Sequence, residues 1–166
     1  MITRQSFSPT IRQLVRLTVL PMLVVFAVSC VTPPLTMETP AGFAAFSDDG
    51  QVRAITPEGV LVRARTVPND PAQSLEFWAE ALERHLVESG YQSIEKDAFT
   101  TNVGEGVLFE WLAPVSEDDW YYLTAIAILG DQIAVVEAAG PSDQYDRYRP
   151  AIRASLESLQ IQAPGS

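Results

Sequence analysis

Positive charge, cysteine and histidine are all scarce in this chain. Its 166 residues hold one cysteine and one histidine, too few for an internal disulfide or a structural zinc site. Eleven Lys and Arg stand against 21 Asp and Glu, a net charge of −10. With no excess of cations to displace counterions from a phosphate backbone, nucleic acid is not expected as a partner. No apolar run approaches the ~20 residues that a membrane-spanning helix needs. The sequence also lacks a Gly-x-Ser-x-Gly elbow, and Gly104-Glu105-Gly106 has neither the spacing nor the lysine of a phosphate-binding loop. What is present is 47% hydrophobic and 9% aromatic residues, enough to bury a core, in a length that suits one domain.

The first thirty residues read as an address. Arg4, Arg12 and Arg16 precede the apolar run 17–28 with no acid among them, the order of an export signal. Twelve residues rise only ~18 Å as a helix, and Pro21 weakens that helix further. The segment Ala27-Val28-Ser29-Cys30 that closes the run resembles the lipobox of bacterial lipoproteins, with Ala27 where leucine is usual and the sole cysteine at the lipidation position. The resemblance implies cleavage between Ser29 and Cys30 and acylation of Cys30. An ordinary secretory signal and a short signal anchor are the alternatives. In a cell with two membranes, Val31 after the cysteine resembles the pattern sorted to the outer membrane, facing the periplasm.

Without a leader of residues 1–29, 8 basic residues face the same 21 acidic ones, a net charge of −13. Anionic headgroups repel such a domain, so attachment is expected through lipid on Cys30 rather than through the protein surface. Residues 30–41, with Pro33, Pro34 and Pro40, read as the lipidated cysteine and an extended tether, with a reach of at most ~34 Å at ~3.1 Å per residue. A folded domain is expected over 42–161 and a flexible tail over 162–166.

Within that domain the hydrophobic period switches repeatedly. Segments 43–47 and 52–56 flank Asp48-Asp49-Gly50, a hairpin signal, and Pro57-Glu58-Gly59 turns the chain into a strand over 60–67. Asp70, Pro71 and Gln73 suit a helix start, and Leu75, Trp78, Leu82 and Leu86 form a buried stripe up to Gly90. Short strands over 91–95 and 99–101 precede stronger ones over 107–112, 121–129 and 132–138, the last two joined by Gly130-Asp131. Their near-continuous apolarity suggests the sheet interior. Tyr145, Tyr148, Ile152, Leu156 and Leu159 repeat at helical spacing, and Pro150 places the helix start at about residue 149. The expected fold is α+β: a mainly antiparallel sheet of six to seven strands with two helices, in the order βββαββββα, one face buried under the helices. This order, with Gly42-Phe43, the Thr56–Val60 turn, Gly106 with Trp111, Gly140-Pro141 and the closing Ser155-Leu156-Glu157-Ser158-Leu159, resembles the PsbP-like and DcrB-like superfamily, whose members are small accessory or envelope proteins.

Candidate chemistry is sparse. His85 lies beside the apolar stripe of the first helix, where a packed ring with one hydrogen bond is expected rather than catalysis. Acidic Asp48-Asp49 and Glu117-Asp118-Asp119 lack the spacing of a calcium loop, so no metal or other cofactor is expected. Arg63 and Arg65 share one face of a strand, and Glu110 alternates with apolar neighbours on another. Should they meet across the sheet, they could recognise an anionic ligand by forked hydrogen bonds or simply pair as ions on a solvated face. Trp120, Tyr121 and Tyr122 suit either a partner contact or alternating core packing. The resulting expectation is a non-enzymatic envelope lipoprotein that binds another envelope component. A small-ligand module and, less favoured, a hydrolase using Glu110 or Glu137 are the alternatives.

Overall fold

The computed structural model describes residues 35–46, 51–101, 104–114 and 119–161. The expected leader, Ser29, Cys30, the tail, Asp48-Asp49 and Glu117-Asp118 lie outside the described residues. In chain order the elements are β1 (Leu35–Thr36), β2 (Ala44–Ala45), β3 (Val52–Ile55), β4 (Leu61–Pro68), α1 (Leu75–Glu88), β5 (Gln92–Thr101), β6 (Gly104–Ala113), β7 (Trp120–Leu129), β8 (Gln132–Pro141), α2 (Ser142–Glu157) and β9 (Gln160–Ile161). Strands β2 to β8 form one seven-stranded sheet in the order β2-β3-β4-β8-β7-β6-β5, antiparallel throughout. This is the α+β arrangement βββαββββα. Strands β7 and β8 lie inside the sheet, as their apolarity suggests, and turn at Gly130, where φ is 58°.

The sheet is covered on both faces, not one. Successive strand residues point to opposite sides. On β4, β7 and β8 one side carries Val62, Ala64, Leu123, Ala125, Val136 and Ala138, packed against Tyr145, Ile152 and Leu156 of α2. The other side carries Phe109, Trp111, Ile126 and Ile133, packed against Ala79 and Leu86 of α1. The apolar stripe of α1 is in place, with Leu75, Trp78 and Leu82 half-buried on the same cluster. Strands with apolar residues on both sides need a cover on each, which places one helix per face.

Three local expectations change. Helix α1 starts later than Asp70: Ser74 is its N-cap, with Oγ accepting from Phe77 N at 3.2 Å. The preceding loop is tied by buried Asn69, whose Oδ1 accepts from Trp78 Nε1 at 2.7 Å and Gln73 N at 3.0 Å. Helix α2 runs through Pro150 from Ser142. Pro150 is exposed, so water can satisfy the carbonyl it leaves free, while buried Tyr145 and Tyr148 before it and Ile152 and Leu156 after it hold both halves to the sheet. Segments 91–95 and 99–101 belong to one edge strand, β5, with a bulge between Ser93 and Glu95. Its charged middle reflects an edge position, where charge blunts further pairing.

The tether is also shorter than expected. Leu35, Met37 and Pro40 are buried, and β1 pairs with β9 through Leu35↔Ile161 and Thr36↔Gln160. Residues 35–41 are therefore part of the fold.

Gly106 exposes how closely the strands pack. It sits opposite Phe99, and a Cβ there would collide with the Phe99 ring and reach 2.8 Å from the Ile126 carbonyl oxygen. Gly106→Ala is expected to lower stability by about 1–3 kcal/mol through overpacking, read as a reduced urea midpoint with an unchanged slope. An unchanged midpoint would show that Phe99 moves aside freely.

Candidate functional site

Helix α1 packs on β6 and β7 and leaves the β3–β4 end of its sheet face open. There Arg53 on β3 lies directly opposite Arg63 on β4, and Arg63 lies opposite Glu137 on β8. Arg65 follows two residues along β4, on the same side as Arg63. The Arg63 guanidinium donates to Glu137 Oε2 from Nε at 2.9 Å and also from Nη2. Arg65 Nε approaches the same oxygen at 3.6 Å. The second carboxylate oxygen accepts from Tyr122 Oη at 2.7 Å. Around this row runs a groove of about 430 Å³, lined by Phe46, Arg53, Leu61, Arg63, Tyr122, Glu137 and Ala139.

Burial pushes the Glu137 carboxyl up, but the hydrogen bonds from Tyr122 and Arg63 and the charges of Arg63 and Arg65 outweigh it and hold the group below its ordinary 4.5. Tyr122 is displaced the other way, because burial and the neighbouring Glu137 charge both disfavour the phenolate. Both groups therefore keep fixed protonation states at neutral pH.

Glu110 does not meet the arginines of β4. It lies on the opposite sheet face, 1% exposed, under α2. Arg153 donates to its Oε1 from Nε and Nη2, each at 3.0 Å, and Arg149 Nε stands 3.2 Å from Oε2. Arg153 also reaches Glu95 at 2.7 Å and Asp97 at 3.7 Å on β5, and Arg149 reaches Asp146 at 2.8 Å. Burial lowers the pKa of Arg153, yet the hydrogen bonds and charges of Glu110 and Glu95 leave it above its ordinary value. This network rivets α2 to β5 and β6. The i, i+4 spacing of Arg149 and Arg153 was the signal for it: that spacing places both guanidiniums on one helix side.

The aromatic run divides by strand alternation. Tyr122 faces the groove beside Tyr91, with ring centroids 5.5 Å apart, whereas Tyr121 packs edge-on against Tyr145 at 5.6 Å under α2. His85 is exposed on α1 rather than packed, because it lies one position short of the stripe residue Leu86. Among the described residues, no three His, Cys, Asp or Glu side chains gather where they could hold a metal ion, and no helix is long and apolar enough to cross a membrane.

Neither a protein-family model nor a curated relative matches the chain. Solved structures do share its fold. LpqN of Mycobacterium tuberculosis, described as involved in cell envelope biogenesis, aligns with TM-score 0.60 at 11% identity, over 80% of this chain and 85% of that one. The cyanobacterial PsbP protein of Synechocystis aligns with TM-score 0.51 at 10% identity, over 86% and 99%. The Ran-binding protein Mog1p of Saccharomyces cerevisiae aligns with TM-score 0.53 at 12% identity, over 77% and 90%. The fold is thus shared with PsbP-like proteins, in line with the order of elements. At these identities the likeness is one of fold and carries no activity.

The lowered pKa of Glu137 gives a pH test. A carboxylate held below its ordinary value contributes stability that is present above pH 4.5 and is lost as pH falls through the folded value. Glu137→Gln is expected to cost about 1–2 kcal/mol at pH 7, with the gap to wild type narrowing in urea titrations repeated at pH 5 and pH 3. A gap independent of pH would show that the Glu137 charge contributes nothing.

Proposed function

We propose that the protein is a lipid-anchored accessory protein of the bacterial envelope, which works by binding another envelope component and not by catalysis. The observation that carries this reading is the fate of its two candidate catalytic carboxylates. Glu110 is enclosed by Arg149 and Arg153, and Glu137 is held by Arg63 and Tyr122. Each is fixed in the ionised state that its arginines demand, which leaves neither poised to exchange protons with a substrate. The envelope role described for LpqN, with the same fold, supports the location, as does the lipobox-like segment ending at Cys30.

On this reading lipid on Cys30 replaces a spanning helix. Two or three acyl chains, at ~0.8 kcal/mol per buried methylene, hold a protein on the membrane essentially permanently. Because Leu35 already belongs to the fold, four residues separate Cys30 from β1. The leash then spans ~12 Å at ~3.1 Å per residue, so the domain works close to the bilayer to which it is tied. With Val31 after the cysteine, that bilayer in a two-membrane cell is the outer membrane and the domain faces the periplasm.

Intact-mass measurement of membrane-extracted protein is expected to find a chain beginning at an acylated Cys30, and Cys30→Ser is expected to abolish processing at that position. An unmodified chain beginning at Met1 overturns the anchor. Cross-linking in intact cells is expected to trap a reproducible envelope partner, and its absence under several cross-linking chemistries overturns the accessory reading. A second reading, a small-ligand module, is favoured by one specific observation: the arginine-lined groove on the open sheet face.

A further inference from the structure

The geometry points to a single-chain anionic amphiphile as the occupant of this groove: a monomeric lipid with one phosphate or carboxylate head on Arg63 and Arg65 and its alkyl chain on Phe46, Ile55 and Leu61. This rests on the small-ligand reading and names its ligand class.

The first argument is charge. Arg53 and Arg63 are direct cross-strand partners on an antiparallel pair, an arrangement that costs stability when like charges face each other. Arg65 adds a third guanidinium on the same side. Among the described residues, Glu137 is the one carboxylate paired with Arg63 or Arg65, and its capacity is already divided between those arginines and Tyr122. Three cations against one acid leave an excess of positive charge in a chain whose net charge is −10. Arg65, limited to its 3.6 Å approach to Glu137, retains most of its five donors for a further oxyanion.

The second argument is apolar surface. Phe46, Ile55 and Leu61 are 42%, 40% and 39% exposed. Ile55 and Leu61 are direct cross-strand partners, and Phe46 N donates to Arg53 O at 2.9 Å, which places the three beside the arginines. A small inorganic anion would leave this surface in water, and a neutral alkyl chain would leave the arginines uncompensated. A ligand with both parts satisfies both halves of the groove, whose volume lies within the range of small-molecule sites. An intact anionic bilayer is the poorer occupant, because the acidic domain as a whole is repelled by it.

The test uses the chain carrying Cys30→Ser, so that no acyl group of its own competes. Dodecyl phosphate, below its micellar concentration and at about a hundredfold excess over Kd, is expected to raise Tm by about 5–10 °C. Inorganic phosphate and dodecyl maltoside at the same concentration are expected to leave Tm unchanged. Arg65→Gln is expected to weaken binding about tenfold and Leu61→Ser about fivefold. Both side chains are solvent-accessible, so each variant retains the fold. A response to inorganic phosphate equal to that for dodecyl phosphate overturns the amphiphile but keeps a small-anion site. An equal response to the maltoside overturns the role of the arginines. Binding to anionic vesicles without binding to monomer overturns the monomeric ligand, and no response to any probe overturns the small-ligand reading together with the proposal.

Discussion

Strand β8 carries the constraint on which the rest of the structure depends. It pairs along its length with β4 on one side and β7 on the other, and its alternate residues serve two different purposes. Ala134, Val136 and Ala138 face α2 and are essentially inaccessible to solvent. Ile133 and Val135 join the cluster under α1, and Glu137 continues their side into the open end of the sheet. A one-residue slip of β8 would place the Glu137 carboxylate in the apolar layer under α2 and expose Val136 and Ala138, so register is fixed by burial on one face before any polar contact on the other is made. The small side chains Ala125, Ala127, Ala134 and Ala138 line the layer into which Tyr145 and Ile152 of α2 pack.

The order of elements was readable because the turn residues and the period changes agree. Gly130-Asp131 joins two strands paired through Leu129↔Gln132, and the apolar positions of both helices lie where the 3.6-residue spacing puts them. Pro150 misled because the rule for proline concerns a missing amide bond, and that loss is small where the freed carbonyl meets water and both flanks are held by core contacts. Residues 35–41 misled for a different reason. Three prolines suggest extended chain, and the pairing of Leu35 with Ile161 depends on two chain segments far apart in sequence, which no local pattern encodes.

Partner choice among charged residues was less legible still. Arg63, Arg65 and Glu110 could be singled out by alternation within their strands, yet alternation does not say which face of the sheet a strand's charged side joins. That depends on register across four strands. Once register is known, the assignment follows: Arg63 meets Glu137, while Glu110 lies opposite Leu123 and turns toward α2. Glu137 had no mark of its own in a run of apolar residues except its charge, and a lone charge in an interior strand is a sign that a partner exists without naming it.

The two acidic centres differ in a way that separates structure from binding. At Glu110 the acids outnumber the bases: Glu110, Glu95, Asp97 and Asp146 surround Arg149 and Arg153, so the buried charge is compensated and the side chains bridge two layers of the fold. Removing one member there leaves an unpaired buried charge, which marks the network as structural. At Glu137 the balance is reversed. Arginines crowd one carboxylate on a sheet face that neither helix covers, and exposed apolar side chains stand beside them. A fold needs one guanidinium to compensate one carboxylate. The additional arginines bring repulsion that the domain's own packing does not relieve, and such local conflict persists where an external group resolves it.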